Sequence, residues 1–180
     1  MLYAVIAILV ILDQFIKYLV TQNIAFQEVR PVIEGFFSLT HFANSGGAFS
    51  FLAETEWGIF LLSGISATVS VVLLYALFRL RRMDVPWIRF AVMLLVSGTI
   101  GNMIDRIRYR AVVDYLMFTF GSYTFPIFNL ADMCIVIGSI LLAYLMIIDK
   151  KLFRTEEEYN AGILHVDTDN IEGKNPTNDA

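Results

Sequence analysis

Four long apolar runs, at about residues 2–20, 57–78, 87–104 and 127–148, constrain this chain more than anything else in it. Each is close to the roughly 20 residues a helix needs to cross a ~30 Å hydrocarbon core. Little of the chain is left over for a soluble fold. Its hydrophobic share is 57%, against about 45–50% in a typical globular domain. In a bilayer, only helices and closed barrels satisfy their own backbone polar groups. The expected fold class is therefore a mainly α membrane protein with four transmembrane helices. The first run has no basic leading segment, and Asp13 and Lys17 interrupt the place where a leader would be cut. It reads as a span, not as a signal peptide.

The connections differ in character. Residues 21–56 carry Pro31, Gly35, Gly46 and Gly47, and residues 29–44 alternate β-branched and aromatic side chains with polar ones. Short strands are expected there. Phe36, Phe37, Phe42, Phe49 and Phe51 make the segment apolar for an aqueous loop, as a platform lying on the membrane surface would be. The stretch from Asn44 to Phe49 reads as a tight turn, because its glycines allow positive φ and close backbone approach. Arg79, Arg81, Arg82 and Arg89 surround the connection after the second span, and Lys150, Lys151 and Arg154 follow the fourth. Basic connections mark the cytoplasmic side. Both termini are thus expected inside, with segments 21–56 and 105–126 extracytoplasmic. Arg106, Arg108 and Arg110 run against that rule. Trp57 fits an interfacial anchor.

The formal charge of −4 belongs to the tail. Residues 155–180 hold seven acids and one base, which leaves the rest of the chain at +2. Residues 1–154 are expected to form the membrane domain, and 155–180 an acidic, disordered cytoplasmic appendage. No basic surface interleaved with aromatics suggests nucleic acid. The single Cys134 rules out an intrachain disulfide and a multi-cysteine metal site, and in an apolar run it reads as a small packing residue.

Polar residues gather between the third and fourth spans: Asn102, Asp105, Arg106, Asp114, Asn129 and Asp132. Ionisable groups so close to hydrocarbon are costly and ask for a reason. Asn102, Asp105 and Arg106 share one helical face by spacing. They would tie the third span to the loops, or Arg106 would hold a substrate carbonyl or phosphate. Asp13 and Lys17, four apart, form either a mutually neutralising pair with Lys17 reaching to the interface, or a site for substrate headgroups. Asn129 and Asp132 read as a helix N-cap with an acid at the positive dipole end. Asp114, in the preceding loop, adds a second carboxylate.

Two carboxylates held together cannot both ionise easily, so they share a proton. One can then activate a water while the other protonates an amide carbonyl, which hydrolyses a peptide bond without a metal or a covalent intermediate. Asp114 with Asp132 is the favoured pair; Asp105 is the rival, set aside because Arg106 adjoins it. The only histidines are His41 and His165, there is no nucleophile elbow, and no H-E-x-x-H zinc motif. A proton-coupled transporter using buried acids, or a membrane protein that binds its peptide without cutting it, are the readings from other classes.

Asp13-Gln14-Phe15-Ile16-Lys17, Asn44-x-Gly46-x-Ala48-Phe49, Gly101-Asn102-x-x-Asp105-Arg106, Val112-Val113-Asp114 and Phe128-Asn129-x-Ala131-Asp132 occur in that order over about residues 8–150. Together they resemble bacterial lipoprotein signal peptidase, also called signal peptidase II. The resemblance implies a monomeric aspartic endopeptidase of the cytoplasmic membrane that needs no metal or other cofactor. It would cut diacylglyceryl-modified prolipoproteins just before the lipidated cysteine, among membrane lipids, and be the target of the cyclic peptide globomycin. It assigns catalysis to Asp114 and Asp132. Supporting roles fall on Asp13, Lys17, Asn44, Gly46, Asn102, Asp105, Arg106, Asn129 and Ala131. It also implies a small extracytoplasmic β-cradle, with residues 105–126 as a mobile loop or short helix. Two places depart from the pattern: Arg110 stands where Gly is common, and Tyr115 where Phe is usual.

Overall fold

The computed structural model describes residues 2–46 and 56–148. Gly47 to Phe51, and with them part of the expected turn, lie outside the described residues, as does the acidic tail. The described elements run α1 (Leu2–Asn23), β1 (Val29–Ile33), β2 (Phe37–Asn44), α2 (Glu56–Leu80), α3 (Pro86–Tyr109), β3 (Val112–Phe120), β4 (Tyr123–Thr124) and α4 (Leu130–Ile148). All four helices are long and apolar enough to cross a membrane. The described residues thus form four apolar helices and one small antiparallel sheet, as expected from the sequence.

α3 is the central helix and packs against both α1 and α2. Of its span, 56% is buried, against 11–22% in the other three. The others turn bulky apolar residues outward, among them Ile11, Phe15, Phe60, Val71, Ile137 and Ile140, which suits helices solvated by lipid. α4 approaches α3 through small residues. A Cβ on Gly98 would collide with the Ala131 carbonyl oxygen, and one on Gly138 would lie 2.9 Å from the Ala91 carbonyl oxygen.

The sheet has the order β1-β2-β3-β4. Here the structure corrects one expectation: residues 105–126 are not a loop or short helix. α3 continues to Tyr109, and residues 112–120 form β3, which pairs with β2 and turns back through Gly121 (φ +64°) into β4. Val112 to Phe120 is rich in β-branched and aromatic residues, so its local preference is for a strand. Its partner lies some seventy residues earlier, with Ala43 opposite Val113 and Phe42 opposite Asp114. The β2–β3 register shifts between Leu39 and Phe42, beside Asp114; such irregularities re-aim side chains locally.

α4 starts at Leu130, not at 127. Phe128 is held extended against Leu116, with Leu116 N–H donating to the Phe128 carbonyl at 2.8 Å and Phe128 N–H returning to the Leu116 carbonyl at 3.2 Å. α3 ends on Arg110, whose φ of 57° and ψ of 19° are left-handed and whose N–H donates to the Arg106 carbonyl at 3.1 Å. Helices commonly end on such a residue, usually glycine. The first departure in the sequence therefore falls at the helix cap.

Candidate active site

The site is built where α1, α3, β3 and the start of α4 meet. Lys17 is its cationic centre. Its ammonium lies 2.9 Å from Asp13 Oδ2, 2.8 Å from Asp105 Oδ2 and 3.0 Å from Asn102 Oδ1. Three acceptors use all three of its donors. Lys17 is 2% exposed, so it does not reach for the interface as the sequence suggested; it points inward. Asp105 is fully buried and also accepts from Gln14 Nε2 at 2.8 Å and from the Val113 N–H at 3.1 Å. Its counter-charge is therefore Lys17. Arg106 instead directs Nη1 to Ser66 Oγ at 3.5 Å and to the Asn102 carbonyl at 3.4 Å. Adjacent helical side chains diverge by about 100°, so Asp105 makes its salt bridge to Lys17, with the neighbouring Arg106 acting on it only as a nearby charge.

Asp13 has a second task. Its Oδ1 accepts the Ala131 N–H at 3.0 Å, an unpaired donor in the first turn of α4. Ala131 is small because it is wedged: a Cβ on Gly101 would stand 3.2 Å from its methyl and 2.7 Å from Asp13 Oδ2.

Asn129 and Asp132 form a reciprocal cap. Asp132 N–H donates to Asn129 Oδ1 at 2.9 Å, and Asn129 N–H donates to Asp132 Oδ2 at 3.2 Å. The capping reading is right, and the same residues also carry the carboxylate pairing. Asn129 Nδ2 donates to Asp114 Oδ1 at 2.7 Å, and Asn102 Nδ2 donates to Asp132 Oδ1 at 2.7 Å. Asn129 Nδ2 further approaches Asn102 Oδ1 at 3.2 Å. The two carboxyl groups thus hang on one asparagine, with the second asparagine tied back to Lys17.

On the sheet side, Asn44 Nδ2 donates to Asp114 Oδ2 at 2.8 Å. Asn44 is oriented for this because its Oδ1 accepts the Gly46 N–H at 3.0 Å. Gly46 takes φ +140°, a conformation that favours glycine. Asp114 is 1% exposed, while Asp132 is only partly buried. The Asp114 carboxyl is pushed up from 3.8 to about 7: burial is the main cause and the nearby Asp132 charge adds to it, while the bonds from Asn44 and Asn129 hold it down. One carboxyl is placed to keep its proton near neutral pH, and its neighbour is nearer to water.

Every sequence-predicted site residue falls in this one region. Two participants were missed. Gln14 bonds to Asp105, to the Gly101 carbonyl at 3.2 Å and to Asp13 Oδ2 at 3.3 Å; its position three residues before Lys17, on the same face, was the available signal. The Tyr115 hydroxyl, noted only as a departure, accepts the Leu130 N–H at 3.2 Å. Among the described residues, no group of three or more His, Cys, Asp or Glu is placed to hold a metal ion.

Comparison with known proteins bears on this arrangement. A family model described as signal peptidase (SPase) II matches residues 5–148. The lipoprotein signal peptidase of Enterococcus faecalis is 41% identical over 145 residues, covering 81% of this chain and 86% of that protein. That of Bacillus pumilus is 38% identical over 152 residues, covering 84% and 96%. A solved bacterial membrane enzyme superposes with a TM-score of 0.71 at 28% identity, over 83% of this chain and 94% of that one.

Proposed function

Because the chain belongs to the signal peptidase II family, we propose that it removes the signal peptide from diacylglyceryl-modified prolipoproteins, cutting just before the lipidated cysteine with Asp114 and Asp132 as the reacting pair. The observation that carries this reading is the double use of Asn129, whose amide group holds Asp114 and whose backbone N–H holds Asp132. Burial favours leaving the pair's shared proton on Asp114. Asp132, nearer to water, takes the proton from the attacking water as it adds to the scissile carbonyl. Asp114 protonates the carbonyl oxygen; as the adduct collapses, Asp132 passes the proton it took from water to the leaving amine, and Asp114 takes its proton back from the adduct hydroxyl.

The position of the pair suits such a substrate. A signal peptide is an apolar helix, and the diacylglyceryl chains stay in lipid beside the cut bond. Each CH₂ withdrawn from lipid would cost about 0.8 kcal/mol, so lateral entry from the bilayer is favoured over extraction. A site at the ends of α1, α3 and α4 meets the bond at that depth. Arg106, half-buried near the carboxylates but in no salt bridge among the described residues, is available to hold a substrate carbonyl. Clustering of the acids at one end of the helices supports hydrolysis over a transmembrane proton relay.

The test is cleavage of a diacylglyceryl-modified prolipoprotein by the purified protein in detergent with chelator present, read by gel shift. The wild type should cut. Asp114→Asn and Asp132→Asn, shown folded by thermal unfolding, should each lose at least about a hundredfold in rate. If both variants still cut, the assignment moves to Asp105; a wild type inert on verified lipidated substrate rejects the peptidase reading.

A further inference from the structure

Tyr115 follows Asp114 on β3. Its ring is 4% exposed and packs with Val20, Ile24 and Val113. Its N–H donates to the Phe128 carbonyl at 3.1 Å, and its hydroxyl oxygen accepts the Leu130 N–H at 3.2 Å. Leu130 is the first helical residue of α4, where backbone donors have no partner within the helix. The leading donors of α4 are satisfied one by one: Asn129 N–H by Asp132, Leu130 N–H by Tyr115, Ala131 N–H by Asp13 and Asp132 N–H by Asn129. Two of these bonds lie inside the turn and stabilise its shape. The bonds to Asp13 and Tyr115 come from α1 and β3, so they set where the turn sits.

We infer that the Tyr115 hydroxyl is a positioning group: by capping Leu130 it fixes the start of α4, and with it Asn129 and Asp132, against the strand that carries Asp114. The inference rests on the reading of Asp114 and Asp132 as the reacting pair. Tyr115 is buried and is not placed to touch the substrate. Its loss should therefore act on turnover and leave substrate binding alone. It should also act on the pair's titration. Among the described residues, the charged groups facing Asp114 are Asp132 from α4, Lys17 from α1 and Arg106 from α3, and β2 contributes the uncharged Asn44 amide. The Asn129 bond favours the ionised form of Asp114. A looser α4 start weakens that bond and also displaces the Asp132 charge that raises Asp114, so the titration of Asp114 should shift.

The experiment is a cycle of Tyr115→Phe, Leu130→Pro and the double variant, each assayed as full chain in detergent for kcat, KM, the pH profile of kcat and the unfolding temperature. Tyr115→Phe removes the acceptor and keeps the ring. Leu130→Pro removes the donor at a position where proline suits the helix, after an N-cap residue whose usual extended backbone proline accepts. Tyr115→Phe should lower kcat about tenfold with KM unchanged and displace the high-pH limb of the profile. In the Leu130→Pro background it should change neither. Wild-type kcat and pH profile in Tyr115→Phe, or an equal loss in both backgrounds, would overturn the inference. Should Tyr115→Phe not fold, Leu130→Pro alone must show the same kcat loss and limb shift. Failure of the peptidase reading looks different: the wild type is then inert, and coupling between the two sites in unfolding temperature decides whether Tyr115 anchors α4.

Discussion

Lys17 is a buried cation whose donors are all taken by protein acceptors. It stands between Asp13 and Asp105, both buried. Removing one partner of a buried ionic group leaves uncompensated charge, at about 3–5 kcal/mol. Lys17→Met should therefore cost about that much, and adding Asp105→Asn should recover part of it; thermal unfolding in detergent checks both. Asp114 makes the complementary case. It titrates at 3.8 when exposed and at about 7 when folded, so across that window the native state binds more protons than the unfolded chain. Stability then falls as pH rises, by up to about 1.4 kcal/mol per pH unit. The contribution is complete below 3.8 and gone once the pH passes about 7. The wild type should lose more unfolding temperature between pH 5 and pH 8 than Asp114→Asn, which cannot ionise there; equal losses would refute the link. At this scale the clustered polar groups were legible in the sequence, because charged and amide side chains stand out against hydrocarbon. It could not name their partners. Lys17 pairing with Asp105, and Tyr115 with Leu130, depend on how separate elements meet.

At the scale of elements, the spans were legible because their length and apolarity are local properties. Strand β3 was not, because its partner β2 lies some seventy residues away and Asp114 breaks its apolar run. The start of α4 was misplaced by three residues for a similar reason: Phe128 is captured by Leu116 before the helix can begin. Two element junctions give sharp expectations. Arg110 ends α3 in the left-handed conformation, which costs a residue with a Cβ roughly 1–2 kcal/mol. Arg110→Gly removes that strain but enlarges the freedom of the unfolded chain. The net gain should be under about 1 kcal/mol, seen as a higher unfolding temperature with cleavage rate unchanged. Gly98→Ala should do the reverse. Its Cβ has no room against the Ala131 carbonyl and Ile135, so α4 must back away. A stability loss of about 1–3 kcal/mol is expected, together with slower cleavage, because Ala131 immediately precedes Asp132. A variant that loses stability but keeps its full rate would show that the close helix contact does not govern the pair.

For the whole molecule the open quantity is orientation, and the structure removes an objection to the arrangement proposed from charge. Arg79, Arg81, Arg82 and Arg89 lie at the end of the helices remote from the aspartates, where they favour a cytoplasmic location. Arg106, Arg108 and Arg110 oppose that by simple counting. Arg106 and Arg108, however, occupy the last turn of α3, where the negative end of the helix attracts cations, and Arg108 also lies over the Tyr109 ring at 5.3 Å. Their placement has a local cause, so they need not speak for topology. The expectation is that the sheet and the aspartate pair face away from the cytoplasm. Single cysteines placed in a Cys134→Ser background test it, at Ser122 in the exposed β3–β4 turn and at Arg82 in the exposed α2–α3 connection. In intact spheroplasts a membrane-impermeant thiol reagent should label Ser122→Cys at once and Arg82→Cys only after lysis. The opposite pattern would put Asp114 and Asp132 on the cytoplasmic side, where no exported prolipoprotein presents its lipidated cysteine, and the proposed substrate would have to be given up even if the purified protein cuts it.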